Sequence, residues 1–433
     1  MLNEKQKILI IGGGGREHAI GWKIKQSNRN PELYFAPGNG GTLELGINVD
    51  IKTTDIEKLL EFAQKEKIDL TLAIPDDPLA LGVVDLFRSA GMRIWGPTKK
   101  ASQIESSKAF SKNFMARHRL PTAKFMTFTD FEKAKYYIQK QIFPLVIKAS
   151  GLALGKGVII CENLKEAEGA LENMLVKKTF GEAGGEVVIE EFLTGPEIST
   201  HAFSDGEHYS LFPTSQDHKR VGEDDTGLNT GGMGTIAPVP FVSPELMQKI
   251  EETIIAPTLA GMNSDENSFE GVIYPGLMLT PDGPKILEYN ARFGDPETQT
   301  YMRLLQTDLL DIIDASIDKK LDALEIKWSD KSACTIVLAS LGYPENYEKG
   351  KEIFGIKDAE QNKNVVVFHA GTTMKDGILV TNGGRVLGVS AVGKDLKEAL
   401  STAYEAVSKI RFEGMQYRRD IGNKALGLKM GDF

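Results

Sequence analysis

Cysteine is almost missing from this chain: Cys161 and Cys334 are the only two among 433 residues, far apart and in no CxxC spacing. That excludes a disulfide scaffold and a thiolate zinc site, and reads both as small core residues. No apolar run approaches the ~20 residues a membrane-spanning helix needs. The opening Met1 to Lys7 leads into a short Ile-Leu-Ile-Ile, too brief for the apolar part of a secretion signal and without a small-residue cleavage site. A cytoplasmic protein with no membrane contact is therefore expected. Positive charge is not in excess either, since the formal net charge is -9. This argues against nucleic acid as a partner, although lysines and arginines focused in a cleft still hold an anionic nucleotide. Internal repeats and low-complexity tracts are absent.

What is present reads as a soluble globular protein, with 41% hydrophobic and 26% charged residues. Its length exceeds one ordinary core, so roughly two to four domains are expected. Lys7 to Ile11 is a buried-type strand that breaks into Gly12 to Gly15, and Arg16 opens a helix. Backbone N–H groups and a helix N-terminus converge on that turn, which suits a phosphate; a purely structural strand-to-helix turn is the alternative. Glu17 occupies the third glycine position of G-x-G-x-x-G, which weakens a dinucleotide reading. Further strands at 33–36, 69–74 and 92–95 alternate with helices, one of them opened by a Thr54-Asp-Ile-Glu57 capping box. Such alternation indicates a parallel sheet, with the loops at 12–15, 37–42 and 75–78 on its ligand-binding edge.

Beyond a boundary near Pro97, Ser106-Ser-Lys108-Ala-Phe is helical and a new module starts at Pro121. Strands 143–149 and 158–160 flank the glycine-rich turn Gly151 to Gly157. This is a hairpin lid in which Lys156 closes over phosphates while Lys148 holds them from below, or else a plain flexible hairpin. The strand 186–193 followed by Glu197 fits either a half-buried strand end or an adenine hinge with a ribose carboxylate. Residues 215–235 combine charges with many glycines, so they are expected to stay mobile until a ligand fixes them. Ser243 and Pro244 start a helix that Pro257 bends or ends.

The densest chemistry lies in Lys285 to Thr298. Side chains two apart on a strand share a face, so Glu288 and Asn290 present two hard oxygen ligands side by side, as a Mg²⁺ platform requires. Arg292, Asp295 and Glu297 crowd behind them. A solvated acidic strand end is the bland alternative. One helix near 301–318 precedes the last module. That module has strands at 333–339 and 365–370, a hairpin over 377–388 turning at Asn382-Gly383, a helix near 395–410 and a paired-arginine loop at 417–421.

Several segments resemble the phosphoribosylamine-glycine ligase family of purine biosynthesis: Gly-Gly-Arg-Glu-His at 14–18, Pro-Gly-Asn at 37–39 and Ser-Lys-Ala-Phe at 107–110. So do 215–222, 229–234, 292–299, 368–372, 381–387 and 417–422. Together and in this order they are highly specific. The resemblance implies an α/β and α+β multidomain fold: a Rossmann-like N-terminal domain (1–103), an ATP-grasp centre (104–325, with a lid at about 122–193) and a small α+β C-terminal domain (326–433). It implies a monomeric, ADP-forming ligase that takes ATP, glycine and 5-phosphoribosylamine and needs Mg²⁺ or Mn²⁺ at Glu288 and Asn290. Lys108, Lys148 and Lys156 would handle the ATP phosphates, and Glu190, Glu191, Phe192, Leu193 and Glu197 the adenosine. The aminosugar phosphate would sit near Gly14, Arg16, Glu17 and Asn39, with Asp76, Asp295 and Glu297 completing the substrate site. Arg292, Lys219 and Asp217 would serve the reaction, Arg292 taking the glycine carboxylate and Asp217 or Asp295 its ammonium. The family pattern is broken at Ile74, Asp76 and Asp77, at Ser150 and Leu154, and at Pro275 to Leu277, where many ATP-grasp enzymes carry a further carboxylate. Another purine-pathway ATP-grasp ligase, or a non-catalytic nucleotide-binding regulator, are the competing readings.

Overall fold

A computed structural model of the protein describes residues 5–152 and 157–427, so Leu154 and Lys156 of the lid turn lie outside the described residues. The N-terminal sheet is wholly parallel, in the spatial order Ile47–Asn48, Glu32–Pro37, Lys7–Gly12, Leu70–Ala73, Ile94–Trp95. Its central strand is buried from Ile8 to Ile11, as expected where helices cover both faces. The loops after Gly12, Pro37 and Ala73 all leave the same edge, as predicted. The capping box does not form. Asp55 is the N-cap of helix Ile56–Glu66 without a side-chain cap bond, because its carboxylate takes the ammonium of Lys58 at 2.6 Å instead.

The lid is an antiparallel sheet ordered Phe125–Phe128, Val187–Glu191, Leu145–Ala149, Val158–Cys161. The central sheet pairs Glu270–Thr280 with Glu197–Ser199, Ala202–Asp205 and the strand Gly283–Asn290. A bulge interrupts that last pairing: Glu288 faces Gly276 and Ile286 faces Leu277, leaving Leu287 unpaired. Glu288 and Asn290 lie on the same side of the bulge and keep their common face.

The third sheet recruits strands from two distant parts of the chain. Gln216–Asp217 and Gly234–Ala237 extend Ser332–Ser340, Arg385–Gly393 and Val365–His369, and Met415–Gln416 pairs with the end of Ser332–Ser340. One apolar core accordingly runs from Ile198 and Ile273 to Ile336 and Val389.

Four local expectations need correction. The hairpin turns at Asp376-Gly377, not Asn382-Gly383: Thr372–Lys375 pairs with Ile378–Thr381, and both turn residues have positive φ. Strand Arg385–Gly393 is claimed by the larger sheet instead. Pro257 does not end its helix, which passes through a π turn at Glu251–Ile255 and restarts as Ala256–Ser264 with Pro257 in its first turn. Residues 301–318 hold two helices, Glu297–Leu304 and Leu309–Ile317, because Asp308 caps the second by accepting from Leu310 N at 2.9 Å. Finally, the 215–235 segment is largely ordered in strands, with Arg220–Gly222 paired to Thr226–Asn229.

Candidate active site

A cavity of about 1200 Å³ lies where the lid, the central sheet and the third sheet meet. Glu288 and Asn290 form part of its wall. Burial alone would raise the Glu288 carboxyl, but the cations of Lys219, Lys148, Lys108 and Arg292 bring it down to about 2. It is therefore ionised at any physiological pH. Asn290 donates from Nδ2 to the Tyr274 carbonyl at 3.5 Å, which leaves its oxygen as a free acceptor. Among the described residues no cluster of three or more His, Cys, Asp or Glu forms a metal cage, and Gly276 rather than a carboxylate faces Glu288.

The bulge in this strand has a use. The freed Leu287 carbonyl accepts from Lys148 Nζ at 3.2 Å, while the same ammonium stands 3.0 Å from Glu190. Lys112, also 3.0 Å from Glu190, donates to Thr122 Oγ1 at 2.7 Å. Glu190 thus lines the cavity with two buried lysines beside it. Burial outweighs this partner for Lys112 and lowers its ammonium to about 8. Lys108 begins the helix Lys108–Arg117, with Ser107 as N-cap accepting from Phe110 N at 3.2 Å. Ser150, where the family pattern has an aspartate, reinforces that helix start: its hydroxyl accepts from Ala109 N at 3.1 Å and its carbonyl from Lys108 N at 2.7 Å. Glu191, Phe192, Leu193 and Glu197 line the cavity beside Val146, Met278 and Leu287, an apolar slot of the kind a purine ring fills.

Arg292 is a partly satisfied cation of the cavity wall. Its Nη2 is 2.8 Å from Glu105, its Nη1 donates to the Phe293 carbonyl at 3.2 Å, and its Nε is a buried donor without a partner. Burial opposes the charge, but Glu105 and Asp76 raise the guanidinium above its ordinary range. Asp76 answers in kind: despite burial, Arg292 and Arg16 hold it below the usual carboxylate range. The shortened acid at this position is thereby kept ionised.

Across the cavity, Lys219 lies 2.6 Å from Glu197 and 3.5 Å from Glu288. These carboxylates lift its ammonium well above the normal value against the effect of burial. Asp217 has a buried Oδ1 without a donor. Burial, and then the nearby Glu297, push its carboxyl well up, with Lys219 opposing. Glu297 accepts from the Tyr274 hydroxyl at 2.6 Å and from Ser199 at 3.3 Å. Only glycine fits at Gly232: φ is +112°, and a Cβ there would stand 2.6 Å from Asp217 Oδ1. Asp295 accepts from Gln299 at 2.8 Å and lies 3.3 Å from Arg385. Despite burial, Arg385 and then Arg16 hold it low.

The glycine turn is built tightly, since a Cβ on Gly13 would sit 2.4 Å from the Gly38 carbonyl. Glu17 belongs to this construction. Its carboxylate accepts from Gly14 N at 2.6 Å and Arg16 Nε at 2.6 Å, so both oxygens are used inside the turn. Asn39 is spent likewise, donating to the carbonyls of Gly13 and His369 and accepting from Gly41 N and Thr42 N. Of the predicted residues, Arg16, Asp76, Lys108, Lys148, Glu190, Glu191, Phe192, Leu193, Glu197, Asp217, Lys219, Glu288, Asn290, Arg292, Asp295 and Glu297 share the cavity wall. Gly14, Glu17 and Asn39 stand behind it. Sequence reasoning missed Glu105, Lys112, Tyr274 and Arg385. Lys112 is one helical turn from Lys108, and Arg385 lies inside the quoted 381–387 segment; for Glu105 and Tyr274 the local sequence carries no signal.

Comparison with known proteins covers nearly the whole chain. The models described as the N domain, the ATP-grasp (A) domain and the C domain of phosphoribosylglycinamide synthetase match residues 6–105, 106–298 and 333–424. A phosphoribosylamine-glycine ligase of Vibrio vulnificus (strain CMCP6) is 51% identical over 422 residues, 97% of this chain and 98% of the relative. The enzyme of that name from Chlorobaculum tepidum is 48% identical over 424 residues, spanning 97% of this chain and all of the relative's 100%. Among solved structures, phosphoribosylamine-glycine ligase from Thermotoga maritima superposes with a TM-score of 0.83 at 36% identity, covering 96% of this chain and 99% of the other. A biotin carboxylase from Campylobacter jejuni reaches a TM-score of 0.74 at 14% identity, covering 95% and 93%, which is a likeness of fold alone.

Proposed function

The chain belongs to the phosphoribosylglycinamide synthetase family, and from that membership we propose that it ligates glycine to 5-phosphoribosylamine, consuming ATP and releasing glycinamide ribonucleotide, ADP and phosphate. The observation that carries this reading is a pair of unmatched buried groups on one cavity. The free Arg292 Nε awaits an anion, and the free Asp217 Oδ1 awaits a hydrogen-bond donor such as an ammonium. A small zwitterionic amino acid answers both. Lys108, Lys148 and Lys219 on the same wall answer the phosphates of a nucleotide.

A carboxylate resists amines because oxide is its leaving group. An oxygen of the glycine carboxylate therefore attacks the γ-phosphorus, the bond to ADP breaks, and a glycyl phosphate results. The amine of phosphoribosylamine then attacks the acyl carbon, forming the C–N bond as phosphate departs and the nitrogen loses its proton. No protein nucleophile is needed. This chain's part is to gather positive charge, to orient the three reactants, and to keep water from the acyl phosphate. We assign Lys108, Lys148 and Lys219 to the phosphates, the slot at Glu191 to Leu193 with Glu197 to the adenosine, and Arg16, Asp76 and Asp295 to the aminosugar. Glu17 and Asn39 act by holding the glycine turn of Gly14.

The donor set fits a hard divalent cation, Mg²⁺ or Mn²⁺: the ionised Glu288 and the free amide oxygen of Asn290 are the oxygens that would hold it, with phosphates and water for the rest. Such an ion would supply positive charge against the nucleotide phosphates. We place the activity in a cytoplasmic monomer divided at about residues 103 and 325. No helix among the described residues is long and apolar enough to cross a membrane. Light scattering checks the monomer.

Nucleotide product analysis tests the reaction: ADP must form, and only when glycine and the aminosugar phosphate are both present. AMP with pyrophosphate, or ADP release driven by bicarbonate instead of glycine, overturns it.

A further inference from the structure

Glu105 occupies a junction that the proposed chemistry has not used. It lies in the short helix Gln103–Ser106, and its side chain is only 9% exposed. One oxygen meets Arg292 Nη2 at 2.8 Å and the other accepts from Ala291 N at 2.8 Å. A single carboxylate thus grips the backbone and the side chain of adjacent residues, immediately after the metal-ligand position Asn290. Two residues farther along the chain, Ser107 caps the helix whose first residue is Lys108. Only the short turn from Glu105 to Lys108 therefore separates the grip on the arginine from the phosphate lysine.

We propose that Glu105 is a positioning residue that fixes Arg292 with its Nε left for the glycine carboxylate and couples glycine binding to nucleotide binding through the Lys108 helix. The proposal rests on the reading of Arg292 given above. The geometry supports it: one carboxylate binds the Arg292 side chain and the Ala291 backbone at once. And Arg292 holds Nε unpaired while Nη2 is engaged, the state of a guanidinium oriented by one partner and kept available for another.

The test compares Glu105→Gln, Glu105→Asp and Arg292→Ala in the full-length enzyme. Glutamine satisfies only one of the two present bonds, so E105Q should raise KM for glycine on the order of tenfold, the scale of one charged hydrogen bond, with kcat changed far less. E105D keeps the charge and should recover part of that loss. Titration with a non-hydrolysable ATP analogue, with and without glycine, should show glycine tightening nucleotide binding by roughly fivefold or more in the wild type, and little in E105Q. An unchanged glycine KM in E105Q, or equal analogue affinities with and without glycine in the wild type, overturns the proposal. If E105Q does not fold, an E105D enzyme with wild-type glycine KM and coupling would overturn it as well. If R292A itself leaves glycine KM untouched, the reading of Arg292 fails first; if R292A raises it and E105Q does not, only the role of Glu105 fails.

Discussion

Glu288 shows how far neighbours outweigh burial at a single residue. Its folded carboxyl is held at about 2, below the ordinary 4.5, so its ion pairs contribute stability that is complete above about pH 4.5 and disappears as pH falls through about 2. Glu288→Gln should therefore differ from wild type in denaturant midpoint by a constant amount above pH 5, and the two should converge toward pH 2. A gap that instead closes between pH 5 and 7 contradicts the assigned ionisation. Lys112 titrates the other way round. Its folded ammonium is lowered to about 8, so the unfolded chain holds more protons between pH 8 and 10.5 and this residue's cost to stability shrinks as pH rises through that window. Arg292→Ala should raise the glycine requirement by roughly 10² or more while ATP binding without glycine changes little, as read from KM and analogue titration. At this scale the sequence was legible where side-chain spacing does the work: Glu288 and Asn290, two apart on one strand, do share a face. It was not legible where distant residues set the surroundings, since the lysines that stand beside Glu190 lie 42 and 78 positions away.

Among elements, the hairpin Arg220–Gly222 with Thr226–Asn229 matters most, because Lys219 and Asp217 directly precede it. It is held from the far end of the chain. Arg418, with a side chain 1% exposed, reaches Asp225 at 2.8 Å, Asp420 at 2.6 Å and the Arg220 carbonyl at 3.1 Å. His218, between the two site residues, accepts from Gly422 N at 3.0 Å through Nε2. Arg418→Met should cost on the order of 3 kcal/mol in urea unfolding, because it leaves Asp420 without its counter-charge and Asp225 with Lys424 alone. Lys219-dependent turnover should fall with it. An unaltered melt would show that the latch is dispensable. The paired arginines were visible in the sequence as a motif, but their target was not, since it lies almost two hundred residues upstream. Turn chemistry failed for a related reason. Asn382-Gly383 and Asp376-Gly377 are equally good type I′ signals, and only competition for Arg385–Gly393 from the third sheet decides between them.

In the whole molecule, the third sheet joins parts that the sequence divides at about 325. Backbone pairs such as Ile236 with Cys334 and Thr235 with Thr335 cross that division. A chain cut after about residue 330 would expose Gly234–Ala237 as an unpaired edge and strip the cover from the core around Ile236 and Ile336. Such a fragment should be recovered as aggregate, and adding residues 331–433 in trans should not restore ligase activity; a soluble, active fragment would refute the dependence. Alternating strands and helices made the parallel N-terminal sheet readable in advance. A sheet assembled from two distant segments leaves no such trace, because nothing local announces the partner.

The shared sheet also decides which parts of the enzyme are free to move. Rotating the C-terminal module outward would tear a ladder of main-chain hydrogen bonds, whereas the four lid strands pair only among themselves. Displacing the lid would therefore break only side-chain and isolated contacts to the floor, and because Lys148 of the lid is one of the cations that hold Glu288 ionised, it would also loosen the charge balance at the proposed metal platform.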